Sequence, residues 1–210
     1  MDVVLETIER SDEQLAAEAA REGSDGPAFV QLLERFQARI WRVCFRLLGN
    51  EADAHDAAQE VFVQLFLQRA KFAGRSKYST WAHGIAVRVC LMTRRSLGRR
   101  RKHESMAQQG AVENIEQEST HSDMAMDLNR MLESLDEEER AMLILKYAEG
   151  YSYEDLSGMF DVSVSACKMR VSRARKRLNE LYPEQIKFNV QLIAGGKEYD
   201  PRKHPVTSVS

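Results

Sequence analysis

Several things that would define an enzyme or a secreted protein are missing from this sequence. The three cysteines, Cys44, Cys90 and Cys167, lie far apart and form no C-x-x-C pair. The five histidines, His55, His83, His103, His121 and His204, show no ligand spacing. Neither a metal site nor a disulfide framework is expected; isolated thiols in amphipathic patterns read as small apolar core side chains, kept reduced. No apolar run approaches the length that spans a bilayer. Residues 1–6 carry acids and no basic run, which argues against a secretory signal. A cytoplasmic protein without membrane insertion is expected. No glycine-rich phosphate loop, metal cluster or nucleophile constellation is visible either, so neither catalysis nor a cofactor is expected.

What is present is charge, sharply segregated. The net charge of -2 conceals it. Seven basic residues and no acid fall between Arg88 and Lys102, and six basic residues and no acid between Lys168 and Arg177. Between them, from Glu104 to Glu139, eleven acids face a single cation, Arg130. Two basic blocks flanking an acidic spacer carry information that the net charge erases.

Apolar spacing is helical nearly everywhere. Phe29, Leu32, Leu33, Phe36, Ile40, Val43, Cys44 and Leu47 recur every three or four residues, one face of a helix. Gly49 and Asn50 end it, and a second helix starts near Asp53 with Ala57, Val61, Leu65 and Phe66 inward. A short alanine-rich helix, Ser11 to Arg21, precedes them. Phe72 to Ser79 reads as a loop, and a third helix from about Thr80 places Trp81, Ile85 and Val89 on one side. The stretch from Met106 to about Met124 is polar, acidic and aperiodic, which marks a linker.

Beyond the linker, Asp136 with Glu139, and then Ser152 with Asp155, are helix-start signals, and Gly150 separates the two helices. Ser163 starts a last helix that runs to Leu181, before Pro183. Two short helices joined by a tight turn, the second loaded with cations, describe a helix-turn-helix. Its first turns would face base edges and its later cations phosphates. The DNA-facing candidates are Ser163, Ser165, Ala166, Lys168, Met169, Arg170, Arg173, Arg175 and Lys176.

At this point the residues resemble a family. YSYEDLSGMFDVSVSACKMRVSRARKRL, within Leu135 to Leu181, resembles region 4 of the extracytoplasmic-function sigma factors of bacterial RNA polymerase. DAHDAAQEVF (Asp53 to Phe62) resembles the region 2 helix that grips the polymerase clamp, and FAGRSKYSTW (Phe72 to Trp81) the loop that captures a base of the melted minus-ten element. DEQLAAEAAREG resembles the family's usual opening, so the likeness spans about Asp12 to Tyr182.

The resemblance implies an alternative sigma factor that binds core RNA polymerase and promoter DNA and directs recognition, melting and initiation. Control by an anti-sigma factor and a part in stress response come with it. It further implies polymerase contacts from Asp53, Asp56, Gln59 and Glu60, with Phe62 as an apolar anchor. The minus-ten contacts would come from Gly74, Arg75, Ser76, Lys77, Arg88, Arg94 and Arg95. Trp81 falls on the buried phase of its helix and is assigned to the core.

The expected architecture is all-α: two small helical domains joined by a flexible acidic linker. Residues 1–25 form the lead-in, 26–103 the region 2-like domain, 104–126 the linker, 127–182 the helix-turn-helix domain and 183–210 an extension. In that extension Ile186, Phe188, Val190 and Leu192 alternate like a strand. The chain departs from the family at Ala82, His83 and Gly84, after the tryptophan, and at Val87 and Arg88. Gly84 inside a helix hints at close packing or a bend. A stand-alone helix-turn-helix regulator is the rival reading; it would need a sensor domain in the first half, where no strand pattern or buried acidic pocket is seen.

Overall fold

The computed structural model describes residues 10–22, 26–107 and 131–183, the side chains of 101–107 excepted. Every element it describes is helical. The linker at 108–130 and the alternating stretch in the C-terminal extension lie outside the described residues.

Most helix starts are set by one short polar side chain that accepts from an otherwise unpaired backbone amide. α1 (Asp12–Ala19) begins in a capping box, in which Ser11 accepts from the Gln14 amide and Gln14 accepts from that of Ser11. α2 (Pro27–Leu48) has proline at its first position, where no amide is needed, and ends at Gly49 with φ 87°. α3 (Glu51–Gln68) is capped by Asn50, which accepts from the Asp53 amide at 2.8 Å. A 3-10 turn, Arg69–Lys71, and the exposed segment 73–77 lead to α4 (Tyr78–Ala107).

α4 departs from the sequence expectation at both ends. It begins two residues before Thr80, because Glu13 of α1 accepts from the Tyr78 amide at 3.1 Å and so caps it from a distance. That bond holds the Glu13 carboxyl below its ordinary pKa. It continues past residue 103, where the linker was expected to begin, to Ala107.

Domain one is a bundle of α2, α3 and α4 around Phe36, Ile40, Val61, Leu65 and Ile85, with α1 anchored by Leu15. Domain two follows from a helical turn at 131–133. Its α5 (Glu137–Tyr147) is capped by Asp136, which accepts from the amides of Glu138 and Glu139. α6 (Tyr153–Phe160) starts in the Ser152–Asp155 capping box and ends at Asp161 with φ 54°. α7 (Val164–Leu181) is capped by Ser163. Met142, Leu145, Leu156 and Val171 close the small core of this domain.

The sequence suggested two domains free to reorient. Here they share a packed seam, and the buried residues of both form one continuous cluster. α6 lies along α4, and the turn between α5 and α6 meets the end of α2.

Candidate polymerase and DNA interfaces

On α3 the residues of the expected polar stripe differ in exposure, and Phe62 turns inward. Asp56 and Glu60 are exposed, Asp53 and Gln59 half-buried. Asp53 also serves the helix start, receiving a hydrogen bond from the Asn50 side chain. Phe62, the expected apolar anchor, is buried in the bundle at 6% exposure. Its ring packs into the core instead of facing outward. The helical period explains why: Ala58, Val61, Phe62 and Leu65 are all buried and recur at three and four residues. The apolar groups that do face outward are Val63 and Leu67, the latter 63% exposed. They follow Asp56, Gln59 and Glu60 at helical spacing, so acid, amide and apolar surface share one side. Sequence reading missed them, though two large apolar residues in phase with the exposed acids were the available signal.

The candidate minus-ten loop is built over an aromatic floor. Phe72, Tyr78 and Trp81 meet pairwise at ring-centroid distances of 5.3, 5.5 and 5.6 Å. Phe36 from α2 supports Tyr78 at 5.2 Å. Edge contacts of this kind suit the ring quadrupoles and fix the floor. Tyr78 is buried and Trp81 half-buried, so both are packing groups, as expected for Trp81. Above them Gly74, Arg75, Ser76 and Lys77 are exposed, with Gly74 at φ 65°. That conformation suits glycine and turns the chain outward. Along α4, Arg88 and Arg95 are exposed, while the half-buried Arg94 donates to the Leu47 carbonyl at 3.3 Å. Arg95 is not simply open to solvent: it pairs with Glu137 at 3.3 Å and Glu138 at 3.5 Å, both in domain two.

On α7 the buried positions are Cys167, Val171, Ala174 and Leu178, a three- and four-residue stripe that fixes which side faces out. Ser165, Lys168, Met169, Arg173, Arg175 and Lys176 are exposed, and Ala166 is half-buried. Ser163 is taken up by the helix start, its hydroxyl accepting from the Ala166 amide at 3.2 Å. Arg170 is engaged by Glu138 at 2.7 Å, and Arg175 donates to the Tyr147 hydroxyl at 3.2 Å. Lys176 pairs loosely with Glu180 at 3.7 Å. Ser165, Lys168, Met169 and Arg173 therefore form the most open outward surface.

This architecture has relatives. The family description "Sigma-70 region 2" matches residues 32–100, and "Sigma-70, region 4" matches residues 125–178. The chain is 31% identical over 173 residues to the ECF RNA polymerase sigma factor SigM of Mycobacterium tuberculosis, covering 82% of this chain and 85% of that protein. It is 29% identical over 180 residues to SigE of Mycolicibacterium smegmatis, covering 82% and 70%. Among solved structures, the sigma factor RpoE of Bartonella quintana, in complex with the anti-sigma factor NepR, superposes with a TM-score of 0.57 at 25% identity. The match covers 74% of this chain and 97% of that one. The two matched regions fall in the expected order on the two helical domains, one bearing the acidic stripe and aromatic-floored loop, the other the basic face of α7. The chain belongs to the ECF family of RNA polymerase sigma factors, and it is an alternative sigma factor that directs transcription initiation.

Proposed function

We propose that the work is divided among three surfaces. Asp56, Gln59 and Glu60, with Asp53 at the helix start and Val63 and Leu67 as the apolar part, dock core polymerase. Gly74 to Lys77 over the floor of Phe72, Tyr78 and Trp81, with Arg88, Arg94 and Arg95, hold the melted minus-ten strand. Ser165, Ala166, Lys168 and Met169 read the minus-thirty-five element, while Arg173, Arg175 and Lys176 hold its backbone. Phe62 and Ser163 support these surfaces without touching a partner.

One observation carries this reading: acid with apolar surface on α3, an exposed loop over edge-packed and tilted aromatics just before α4, and an open basic face on α7 are three separate surfaces of one chain. Acidic stripes around apolar anchors suit a basic protein partner. Cations beside aromatic rings suit single-stranded nucleic acid. On this reading the chain acts as a binding subunit and not as a catalyst. No described helix is long and apolar enough to cross a membrane, and its work lies with the polymerase in the cytoplasm. An anti-sigma factor that covers these surfaces is its regulator, as the Bartonella quintana relative has one in its solved complex.

The test is reconstitution. Purified chain should co-elute with core polymerase and support run-off transcription from a subset of promoters. Asp56→Ala with Leu67→Ala should abolish co-elution while leaving the helical content unchanged; full retention would remove the docking face.

A further inference from the structure

α2 carries a row of four arginines, Arg35, Arg39, Arg42 and Arg46, spaced by four, three and four residues and therefore on one side of the helix. Carboxylates engage three of them. Arg35 holds Asp12 of α1 at 2.9 Å and donates to the Arg10 carbonyl at 2.8 Å. Arg46 holds Glu149 at 2.6 Å and donates to the Ala148 carbonyl at 2.7 Å. Arg42 reaches the same Glu149 at 3.5 Å. Arg39 is exposed and has no carboxylate partner among the described residues. The row is tied down at both ends and keeps one open cation between them.

The aromatic floor of the loop sets where that cation stands. The Arg39 guanidinium lies over the Phe36 ring, its Cζ 5.9 Å from the centroid. Phe36 is buried and offers no face to a ligand. The same ring meets Tyr78 edge-on at 5.2 Å, and Tyr78 in turn meets Phe72 and Trp81. Tyr78 follows directly on Lys77, the last residue of the exposed segment 73–77. One buried ring thus stands between the arginine of α2 and the loop, and it positions both. A ring face orients a guanidinium without neutralising it. The other groups that feel Arg39 do not neutralise it either. Burial holds the His83 pKa down to about 4 and the Tyr151 pKa above its ordinary value, so both are uncharged at neutral pH.

We propose that Arg39 is a further contact to the melted minus-ten strand: it holds a backbone phosphate a few nucleotides from the base at the loop, so that the single-strand track runs from segment 74–77 past the buried Phe36 onto α2. The inference rests on that loop being the minus-ten site. A guanidinium and a phosphate form a charge-assisted pair, the strongest contact an open arginine can make with nucleic acid. With Phe36 buried, Arg39 has no free ring beside it on which a base could stack, so the contact fixes position and not sequence. The docking face of α3 presents exposed acids, Asp56 and Glu60, and calls for a basic partner; Arg39 calls for the opposite charge.

The test uses holoenzyme assembled from the full-length chain and core polymerase, with a fluorescent single-stranded oligonucleotide spanning the minus-ten element of a promoter that it transcribes. Anisotropy titrations at several salt concentrations give the salt slope of binding. Arg39→Gln should lower that slope by about 0.7, the share of one phosphate on a single strand. Its urea midpoint and core polymerase affinity should stay at the wild-type values, since Arg39 is exposed and holds no carboxylate. Arg39→Lys should recover most of the slope, because a point charge suffices for a phosphate. Replacing the backbone phosphates one at a time by neutral methylphosphonate then locates the contact. Wild type should lose affinity at one position where Arg39→Gln is indifferent, while both lose it at the others. Identical methylphosphonate profiles for the two would overturn the proposal. So would a loss confined to core binding, which would set Arg39 against the polymerase instead. Lys77→Gln reads the loop separately: if it changes neither slope nor profile, the minus-ten assignment fails and the proposal with it, whereas an effect at Lys77 and none at Arg39 sinks the proposal alone.

Discussion

Removing Glu149 should separate the two domains without unfolding either. Its carboxylate lies 2.6 Å from the Arg46 guanidinium and 3.5 Å from that of Arg42, and is itself only 9% exposed. Deleting one partner of a buried ion pair costs about 3–5 kcal/mol when the other charge must stay buried. Arg46 has two ways to reduce that. It keeps the Ala148 carbonyl at 2.7 Å while the seam is closed, and it returns to water when the seam opens. The lower figure is therefore the appropriate one, and about 3 kcal/mol shifts the closed-to-open ratio roughly a hundredfold. The loss should fall on the seam, since domain one keeps its own core.

The assay separates these outcomes. Both tryptophans, Trp41 and Trp81, belong to domain one. Tryptophan fluorescence during urea unfolding therefore follows domain one, while scattering follows the separation of the two. For Glu149→Ala we expect expansion in scattering and a shift below about 1 kcal/mol in the tryptophan transition, the size of an ordinary surface change. Glu149→Gln, which keeps an acceptor, should fall between. If the tryptophan transition instead drops by the full amount and the particle stays compact, the pair belongs to a single cooperative unit and the reasoning fails.

Three further outcomes are expected. Burial pushes His83 down to about 4, against a rise from the Ser79 backbone and with help from Arg39 and Arg42 of α2; across the seam it faces Tyr151, with Glu149 and Asp155 nearby. Its folded pKa lies below the unfolded value, so its stabilisation is complete above about pH 6.5 and is lost as pH falls toward 4, spanning about 3 kcal/mol. Urea unfolding at pH 7.5 and 5 should differ by less in His83→Gln than in wild type, and an equal difference would refute the assignment. Phe62→Ala should lower stability by about 3–5 kcal/mol, whereas Leu67→Ala should leave the urea midpoint unchanged and weaken core polymerase binding. Lys168→Ala should reduce the salt dependence of minus-thirty-five binding by a slope of about 0.9, measured by anisotropy titration at several salt concentrations, and an unchanged slope would remove Lys168 from the phosphate contacts.

Local signals were the legible part of this chain. Asp136, Ser152 and Ser163 announce helix starts by residue type and spacing alone, and all three cap as their chemistry requires. The three- and four-residue stripe of α7 was equally readable, and with it which candidates face outward. Phe62 was misplaced although the period to Ala58 and Leu65 puts it inward; the motif resemblance outweighed the helical phase. The seam lay out of reach for a different reason. Thr80 and Asp155 are separated by 75 positions, and Arg46 and Glu149 by 103, and no local pattern encodes a pairing of that range. Only Gly84, out of place within a helix, left a trace.

The cap that Glu13 supplies to α4 has a consequence for how the protein is made. Synthesis delivers α1 first, yet its carboxylate has no amide to accept from until Tyr78 has emerged, 65 positions later. α1 can settle on α2 early, where Arg35 holds Asp12 at 2.9 Å, but the start of α4 stays uncapped until Tyr78 reaches Glu13. A nascent chain stalled before α4 would display the apolar surface that α4 covers, and the segment 73–77 would lack the anchor that Glu13 gives at its end.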